Sequence, residues 1–232
     1  MKATPSDLFL GICLGGLAGY VDTAGFVALY GLFTAHVTGN FVLIGAELAR
    51  PSHGPLLLKF LAFPAFGAGV VFGRLLGNAY ERRGSSAVRP LLALELVLLA
   101  GFMAAGLAAV PFEHQSAPPV LLAGMLGAAA MGVHNAAGKQ QFARIAPTTV
   151  MTGNVTELLF NVTDLATGHG APAAREKLTR FAWPVLAFAL GCIAGGSAYV
   201  AAGFWCLLLP VGALVMLLGL RWPSPVPVPA AK

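Results

Sequence analysis

Two stretches share one pattern: TAHVTGNFVLIG at residues 34–45 and TTVMTGNVTELLF at residues 148–160. Each runs threonine, three residues, Thr-Gly-Asn and then a short apolar segment. Side chains such as Thr and Asn cap the free N–H groups at the start of a helix, and glycine lets the chain turn or a solute come close. Two such polar starts in two halves of an apolar chain point to two broken helices. Non-helical backbone is tolerated at membrane depth only where it is buried in protein or lines a cavity.

The composition sets that depth. Apolar residues make up 57% of the 232-residue chain and charged residues 10%, against about 25% charged in a typical soluble domain; the mean hydropathy is +0.79. Apolar segments fall at 8–30, 56–80, 90–110, 118–138, 180–200 and 203–220, most near the length of about 20 residues that crosses a bilayer as a helix. Two shorter ones, 38–49 and 152–165, each include or follow Thr-Gly-Asn. The class is therefore an all-α polytopic membrane protein; the strand alternation of an outer-membrane barrel is absent. The N-terminal run resembles a signal peptide but continues past the length of one and contains Asp22, so it reads as a first, uncleaved helix. The net charge of +5 is not a nucleic-acid footprint, because Lys and Arg sit between apolar runs and orient the chain. With both short segments re-entrant and the N-terminus cytoplasmic, Lys2, Arg82, Arg83, Arg89, Lys139, Arg144, Arg175, Lys177, Arg180 and Arg221 lie inside, opposed by Arg50 and Lys59. Full crossings by both short segments would nearly abolish that bias. The expected topology is six transmembrane helices plus two re-entrant half-helices, with both termini cytoplasmic.

The halves align further. GYVDTAG at 19–25 matches GVHNAAG at 132–138, setting Asp22 opposite Asn135, and Phe63-Pro64 resembles Trp183-Pro184. Three spans is an odd number, so the second copy must be inverted, giving a 3+3 inverted repeat: residues 1–114, residues 115–221, and a Pro-rich, disordered tail at 222–232. Such repeats with discontinuous helices are a transporter and channel architecture with a midplane site. The expected solute site is Thr38, Gly39, Asn40, Thr152, Gly153 and Asn154. Two opposed helix N-termini there suit a small polar solute, an anion among the options.

Asp22 is an acid within the first span and by default a functional one: it binds a cation, carries a proton, or holds the broken backbone of its own repeat by hydrogen bonds. It is the coupling or gating candidate, with Asn135 opposite and His134, read also as a hydrogen-bonded packing residue, beside that. His36 is read either as lining a route inward or as a solvated loop residue. Glu95 is expected to pair with Arg74, and Glu157 either faces the chamber or supports its helix start. Gly69, Gly73, Gly77, Gly191 and Gly195 recur at small-residue spacing and read as helix packing, within the bundle or at a homodimer seam. Cys13, Cys192 and Cys206 lie in apolar runs without a CxxC pair, so neither metal nor redox site is indicated. HExxH, Walker A, GxSxG and dinucleotide motifs are missing; no cofactor is expected, and the chain does not read as an enzyme.

GYVDTAGFVALYGLFTAHVTGNFVLIGAEL (19–48) and HNAAGKQQFARIAPTTVMTGNVTEL (134–158) resemble two signatures of the YoaK family of bacterial membrane proteins, domain of unknown function 1275. The likeness runs from about residue 7 to 220. The matching positions are Asp22, Thr38, Gly39, Asn40, Asn135, Thr148, Thr149, Thr152 and Gly153; His134 departs from the glutamine-like residue the family implies. The resemblance implies a six-span inner-membrane protein and no particular substrate. The function expected is a small secondary transporter or channel in contact with membrane lipids and a small polar solute or ion, with no nucleic acid. A non-transporting scaffold or sensor is the alternative, and a membrane enzyme acting on a lipid is a further one, disfavoured by loops with few acids.

Overall fold

A computed structural model describes residues 5–50, 54–111, 114–168, 171–220 and Trp222. The described residues form eight α-helices: α1 (Pro5–Ala28), α2 (Gly39–Ala49), α3 (Leu56–Glu81), α4 (Val88–Ala109), α5 (Pro118–Gln141), α6 (Met151–Thr167), α7 (Ala171–Ala202) and α8 (Leu208–Gly219), with a short 3-10 turn, Gly203–Leu207, between the last two. No strand occurs among them. By length and composition five helical runs can cross a membrane: Asp7–Ala28, Leu56–Glu81, Val88–Ala109, Pro118–Gln141 and Ala174–Gly219. The outer surface suits hydrocarbon, because large apolar side chains such as Phe72, Leu75, Val97, Ile193, Val200 and Leu209 point outward.

The fifth run is 46 residues long. A straight helix of that length would extend roughly 70 Å, about twice the hydrocarbon thickness. Gly203, at φ 56°, interrupts it, and the chain folds back. Arg180, early in the run, donates to the carbonyls of Ala143 and Ile145. Trp222, just past its end, packs its ring 5.6 Å from that of Phe142. Both ends of the run thus lie beside the segment that follows α5. Trp222 was expected to begin a disordered tail; its indole N–H instead donates to the Leu217 carbonyl at 3.1 Å, so the first tail residue is docked. Residues 223–232 of that tail lie outside the described residues.

Two seams of close backbone contact hold the bundle. Along α1 and α7, a Cβ on Gly19 would strike the Phe188 carbonyl, one on Gly191 the Gly16 carbonyl, and one on Gly195 the Tyr20 carbonyl. Along α3 and α5, a Cβ on Gly69 would strike the Ala129 carbonyl and one on Gly132 the Phe66 carbonyl. Along the whole of each seam the numbers rise together, from Gly11 beside Pro184 to Tyr20 beside Gly195, and from Gly69 beside Ala129 through Gly73 beside Ala136 to Gly77 beside Gln140, so each pair is parallel. The small-residue spacing is therefore used inside the bundle, where it lets backbones approach. α4 lies against α5 and α8, α2 against α3, and α6 against α7. Pro64 and Pro184 lie within α3 and α7, where neighbouring helices and local adjustment can serve the freed carbonyls.

Connections locate the short helices. Lys59, in the first turn of α3, reaches the Tyr30 carbonyl just past α1; Arg180 of α7 reaches the carbonyls just past α5. The first turn of α3 therefore lies near the end of α1, and the third turn of α7 near the end of α5. Lys59, expected on the outer side with Arg50, is 6% exposed and is buried in that junction.

Candidate functional site

The segment after α1 turns at Tyr30 and Gly31, both in left-handed backbone (φ 53° and 78°). It then runs back along α1 without helical structure. A chain in that form has amides with no helical partner, and these must be paired when buried. Asp22, 4% exposed, supplies the acceptor. Its Oδ1 takes the N–H of Thr34 at 2.8 Å and of Ala35 at 2.7 Å, and its Oδ2 lies 2.7 Å from Nδ1 of His36. The His36 ring stands edge-on to Phe188, 5.3 Å between centroids, and its side chain keeps 31% of its surface exposed. His36 is thus neither a freely solvated loop residue nor fully enclosed: one nitrogen faces the acid and the ring is partly open.

α2 begins immediately afterwards. Asn40, wholly buried, donates to the Phe33 carbonyl at 2.8 Å and accepts the Phe33 N–H at 3.0 Å. These paired bonds close residues 33–40 into a ring. The expected Thr and Asn caps do not form, since Thr38 at the N-cap makes no side-chain capping bond. The reason is that the incoming turn already occupies the donors. The N–H groups of Gly39, Asn40 and Phe41 go to the carbonyls of His36, Val37 and Thr38. Gly39 has no left-handed backbone either; it is small because the Phe33 ring would lie 2.9 Å from a Cβ there.

The segment after α5 repeats this plan with different atoms. Thr148 is buried, and its Oγ1 lies 2.8 Å from Nε2 of His134 on α5. Nδ1 of His134 lies 2.9 Å from Oε1 of Glu95 on α4. Glu95 is 0% and His134 2% exposed, and Oε2 of Glu95 has no hydrogen-bond partner among the described residues. Asn154 donates to the Pro147 carbonyl, seven residues back, as Asn40 does to Phe33. Pro147 has no N–H to return the bond. α6 starts at Met151, with Val150 as N-cap, so Thr152, Gly153 and Asn154 lie inside its first turn rather than ahead of it. Thr152 and Gly153 are exposed. α6 hides its polarity in part by local bonds: Thr156 and Thr163 donate to the carbonyls four residues back, a known option for threonine in helices. Glu157 is exposed on α6, beyond the helix start it was expected to support.

Of the expected site residues, the structure joins Asp22 to the first segment and His134 to the second. Asn40 and Asn154 bind their own incoming loops. Asn135 is half-buried and takes no part in these bonds; the side chain that plays on α5 the part Asp22 plays on α1 is its neighbour His134. Glu95 does not pair with Arg74. It faces α5 and His134, while Arg74 is exposed and donates to Gln140 at 3.1 Å. α2 and α6 do not touch, so the two tripeptides do not form a contact with each other. Glu95, Thr34 and Thr148 carry more of the geometry than the tripeptides do. A mid-span acid and the first threonine of each repeated stretch were the sequence signals for them. Among the described residues, no group of three or more His, Cys, Asp and Glu could hold a metal ion.

A family model described as "Protein of unknown function (DUF1275)" matches residues 10–220. The chain is similar to the UPF0700 transmembrane protein YoaK of Bacillus subtilis (strain 168), 32% identical over 152 residues, which cover 65% of this chain and 64% of that protein. No solved structure matches.

Proposed function

This chain belongs to the DUF1275 family, and we propose that it is a small secondary transporter or channel of the bacterial inner membrane that moves a small polar solute. The observation that carries the reading is the burial of ionisable groups where two non-helical segments meet an apolar bundle: Asp22 with His36, and Glu95 with His134. Ionisable groups in a membrane interior are costly, and they mark solute and ion pathways, proton relays or sensors. Irregular backbone at that depth points the same way.

The finer architecture proposed is six spans in a 3+3 inverted repeat, with α2 and α6 re-entrant. Exchange of helix partners supports it. α1 runs parallel to α7 and α3 to α5, so the first helix of each half pairs with the third of the other. Ile145, past the end of α5, lies beside Gly11 near the start of α1, whereas Leu32, past the end of α1, lies beside Gly124 early in α5. Those contacts run α1 and α5 in opposite directions. The junctions made by Lys59 and Arg180 return the chain to the side it came from after each short helix. Arg89, Lys139, Arg144 and Arg180 gather at the end where α1 and α7 begin and α5 ends, which supports a cytoplasmic assignment for that end by the positive-inside rule.

In this reading the tripeptides Thr38-Gly39-Asn40 and Thr152-Gly153-Asn154 are two successive waypoints, since α2 and α6 do not touch. Asp22 and His134 are the coupling or gating groups. The solute meets the open edge of His36 and the hydroxyls of Thr38 and Thr152; the protein carries out no chemistry on it. The test is flux into proteoliposomes across small anions, amino acids, organic acids and monovalent cations, with wild type, His36→Gln and Thr38→Val. Solute-specific flux that falls in both variants, at unchanged unfolding temperature, is the expected result. Folded protein that moves no solute in the panel turns the assignment to a membrane scaffold or sensor.

A further inference from the structure

We propose that Glu95, His134 and Thr148 form a buried proton-binding array that holds one exchangeable proton, and that its loading is coupled to the second non-helical segment. The coupling step rests on the transport reading above and makes the coupled ion a proton; the array itself does not depend on it.

The argument begins with the two acids. Asp22 accepts from two backbone N–H groups and faces His36 with its other oxygen, so its charge is met by donors that cannot leave. Among the described residues Glu95 has one partner, the imidazole of His134, and its second oxygen has none. It sits on α4 among Leu91, Leu92 and Leu99, each at most 1% exposed. A carboxylate has room for about four hydrogen bonds, and burying one with so few is strongly unfavourable. A carboxylate beside a neutral imidazole would leave net negative charge in that apolar cage. One further proton removes it, either as a carboxylic acid with a neutral imidazole or as a carboxylate with an imidazolium.

The hydrogen-bond chain accommodates each of these forms without moving a heavy atom. With a neutral ring carrying its proton on Nδ1, that N–H donates to Glu95, and Nε2 accepts from the Thr148 hydroxyl. With an acid at Glu95, the acid donates to Nδ1 and Nε2–H donates to Thr148. With an imidazolium, both ring N–H groups donate. The sense of the bond to Thr148 therefore reverses when the proton is gained, because a hydroxyl serves as donor or acceptor. Thr148 is also the member on the non-helical segment and, at 6%, the most exposed of the three. Its hydroxyl is the route for the proton: Nε2–H passes its proton to Oγ1 as Oγ1–H is given onward to water and, from the acid form, Glu95 gives its proton to Nδ1 in the same step, leaving a carboxylate and a neutral ring; loading is the reverse.

The charged and titratable groups on surrounding elements are bonded to other atoms or exposed: Lys59 of α3 reaches the Tyr30 carbonyl, and Cys206 of the turn at 203–207 is buried with its carbonyl accepting from the Tyr20 hydroxyl. Arg74 of α3 is bonded to Gln140, Arg89 of α4 to the Leu220 carbonyl, and Asp22 of α1 to its own loop. Lys139 is exposed near the end of α5, and residues 208–219 of α8 carry no charge. A metal cation is a poorer occupant, since the donor set offers one carboxylate and one imidazole.

The test uses the full chain reconstituted in lipid. Infrared spectra in light and heavy water detect a carboxylic acid by its isotope shift, and nitrogen-15 resonances of labelled histidine distinguish imidazolium from neutral ring. Near neutral pH, wild type should show either an acid band that is lost in Glu95→Gln or an imidazolium signal that is lost in His134→Gln; Asp22→Asn should leave it in place. Folded wild type with neither signal at these two residues overturns the array. If Glu95→Gln fails to fold, the isotope shift in wild type and the His134→Gln spectrum still decide. For coupling, accumulation of a solute driven by a proton gradient should be lost in Glu95→Gln while exchange of the same solute persists; accumulation that survives overturns the coupling step. Solute flux without a proton in the array would leave the transport reading standing and this proposal refuted.

Discussion

The two non-helical segments are held by the same kind of pair drawn from opposite sources. In the first, the acid is on the helix and the histidine on the loop: Asp22 and His36. In the second, the histidine is on the helix, a threonine is on the loop, and the acid comes from a third helix, α4. Asp22 clamps backbone, with the Thr34 hydroxyl adding a longer bond of 3.3 Å to the same oxygen, so most of the hold does not depend on the side chains at 34 and 35. His134 holds a side chain, so Thr148 matters a great deal. The first site leaves part of His36 open; the second is sealed. The first segment thus has a backbone clamp, and the second has the pair that we propose takes up a proton.

The largest expected difference follows from those anchors. Asp22→Ala leaves the Thr34 and Ala35 amides buried without an acceptor and strips His36 of its partner. Removing one side of a buried, bonded charge costs about 3–5 kcal/mol, so little folded protein should survive purification. Thr148→Val leaves Nε2 of the buried His134 without its partner and should cost about 1–3 kcal/mol, read as a smaller fall in unfolding temperature. Equal losses would mean that both segments are clamped in the same way and would break the comparison.

The seams should behave alike where the anchors do not. Gly19→Ala would drive a methyl into the Phe188 carbonyl and Gly132→Ala into the Phe66 carbonyl. Backbone cannot yield as a side-chain tip does, and overpacking of this kind costs about 1–3 kcal/mol. Both variants should lower the unfolding temperature by similar amounts, with Gly212→Ala, where nothing lies near, as the neutral control. A large loss at one seam alone would show that the exchanged helix pairs are unequal in strength.

A smaller contrast separates the asparagines. Asn40 both gives and receives a bond with Phe33, whereas Pro147 can only receive. At about 1 kcal/mol per bond, Asn40→Ala should cost about 2 kcal/mol and Asn154→Ala about 1 kcal/mol, measured by thermal unfolding in one detergent. The reverse order would mean that residues 33–40 are held mainly by Asp22.

Much of this was written in the sequence. Long apolar runs, the two short ones, and the small-residue spacing gave the helices and their packing mode, because each reflects a local requirement of length or clearance. The matching Thr-Gly-Asn segments lie where the two non-helical segments give way to α2 and α6. Their chemistry was misread as capping, since spacing alone does not show that the turn's own carbonyls take the first amides of α2. The Glu95–His134 bond was hidden for another reason. It joins residues 39 apart on helices whose facing sides depend on the crossing of the whole bundle, so aligning the halves favoured Asn135 over its neighbour.

The smallest effect bears most directly on function. Alanine is favoured over glycine by about 1 kcal/mol within a helix. At Gly153, in the first turn of α6, a Cβ meets only Val150 at an ordinary 3.5 Å, so Gly153→Ala should raise the unfolding temperature slightly. At Gly39 the Phe33 ring stands 2.9 Å from the added carbon, and that ring is itself in contact with Phe26, 4.7 Å between centroids; the helix preference should be offset or reversed. Packing therefore accounts for a glycine at 39 and leaves the one at 153 without a structural reason. If Gly153→Ala is as stable as wild type or more so and yet stops solute flux, the bare backbone at that position is where the solute passes. If flux is unchanged, the second Thr-Gly-Asn is a remnant of the repeat, and the route runs past His36 and the first segment alone.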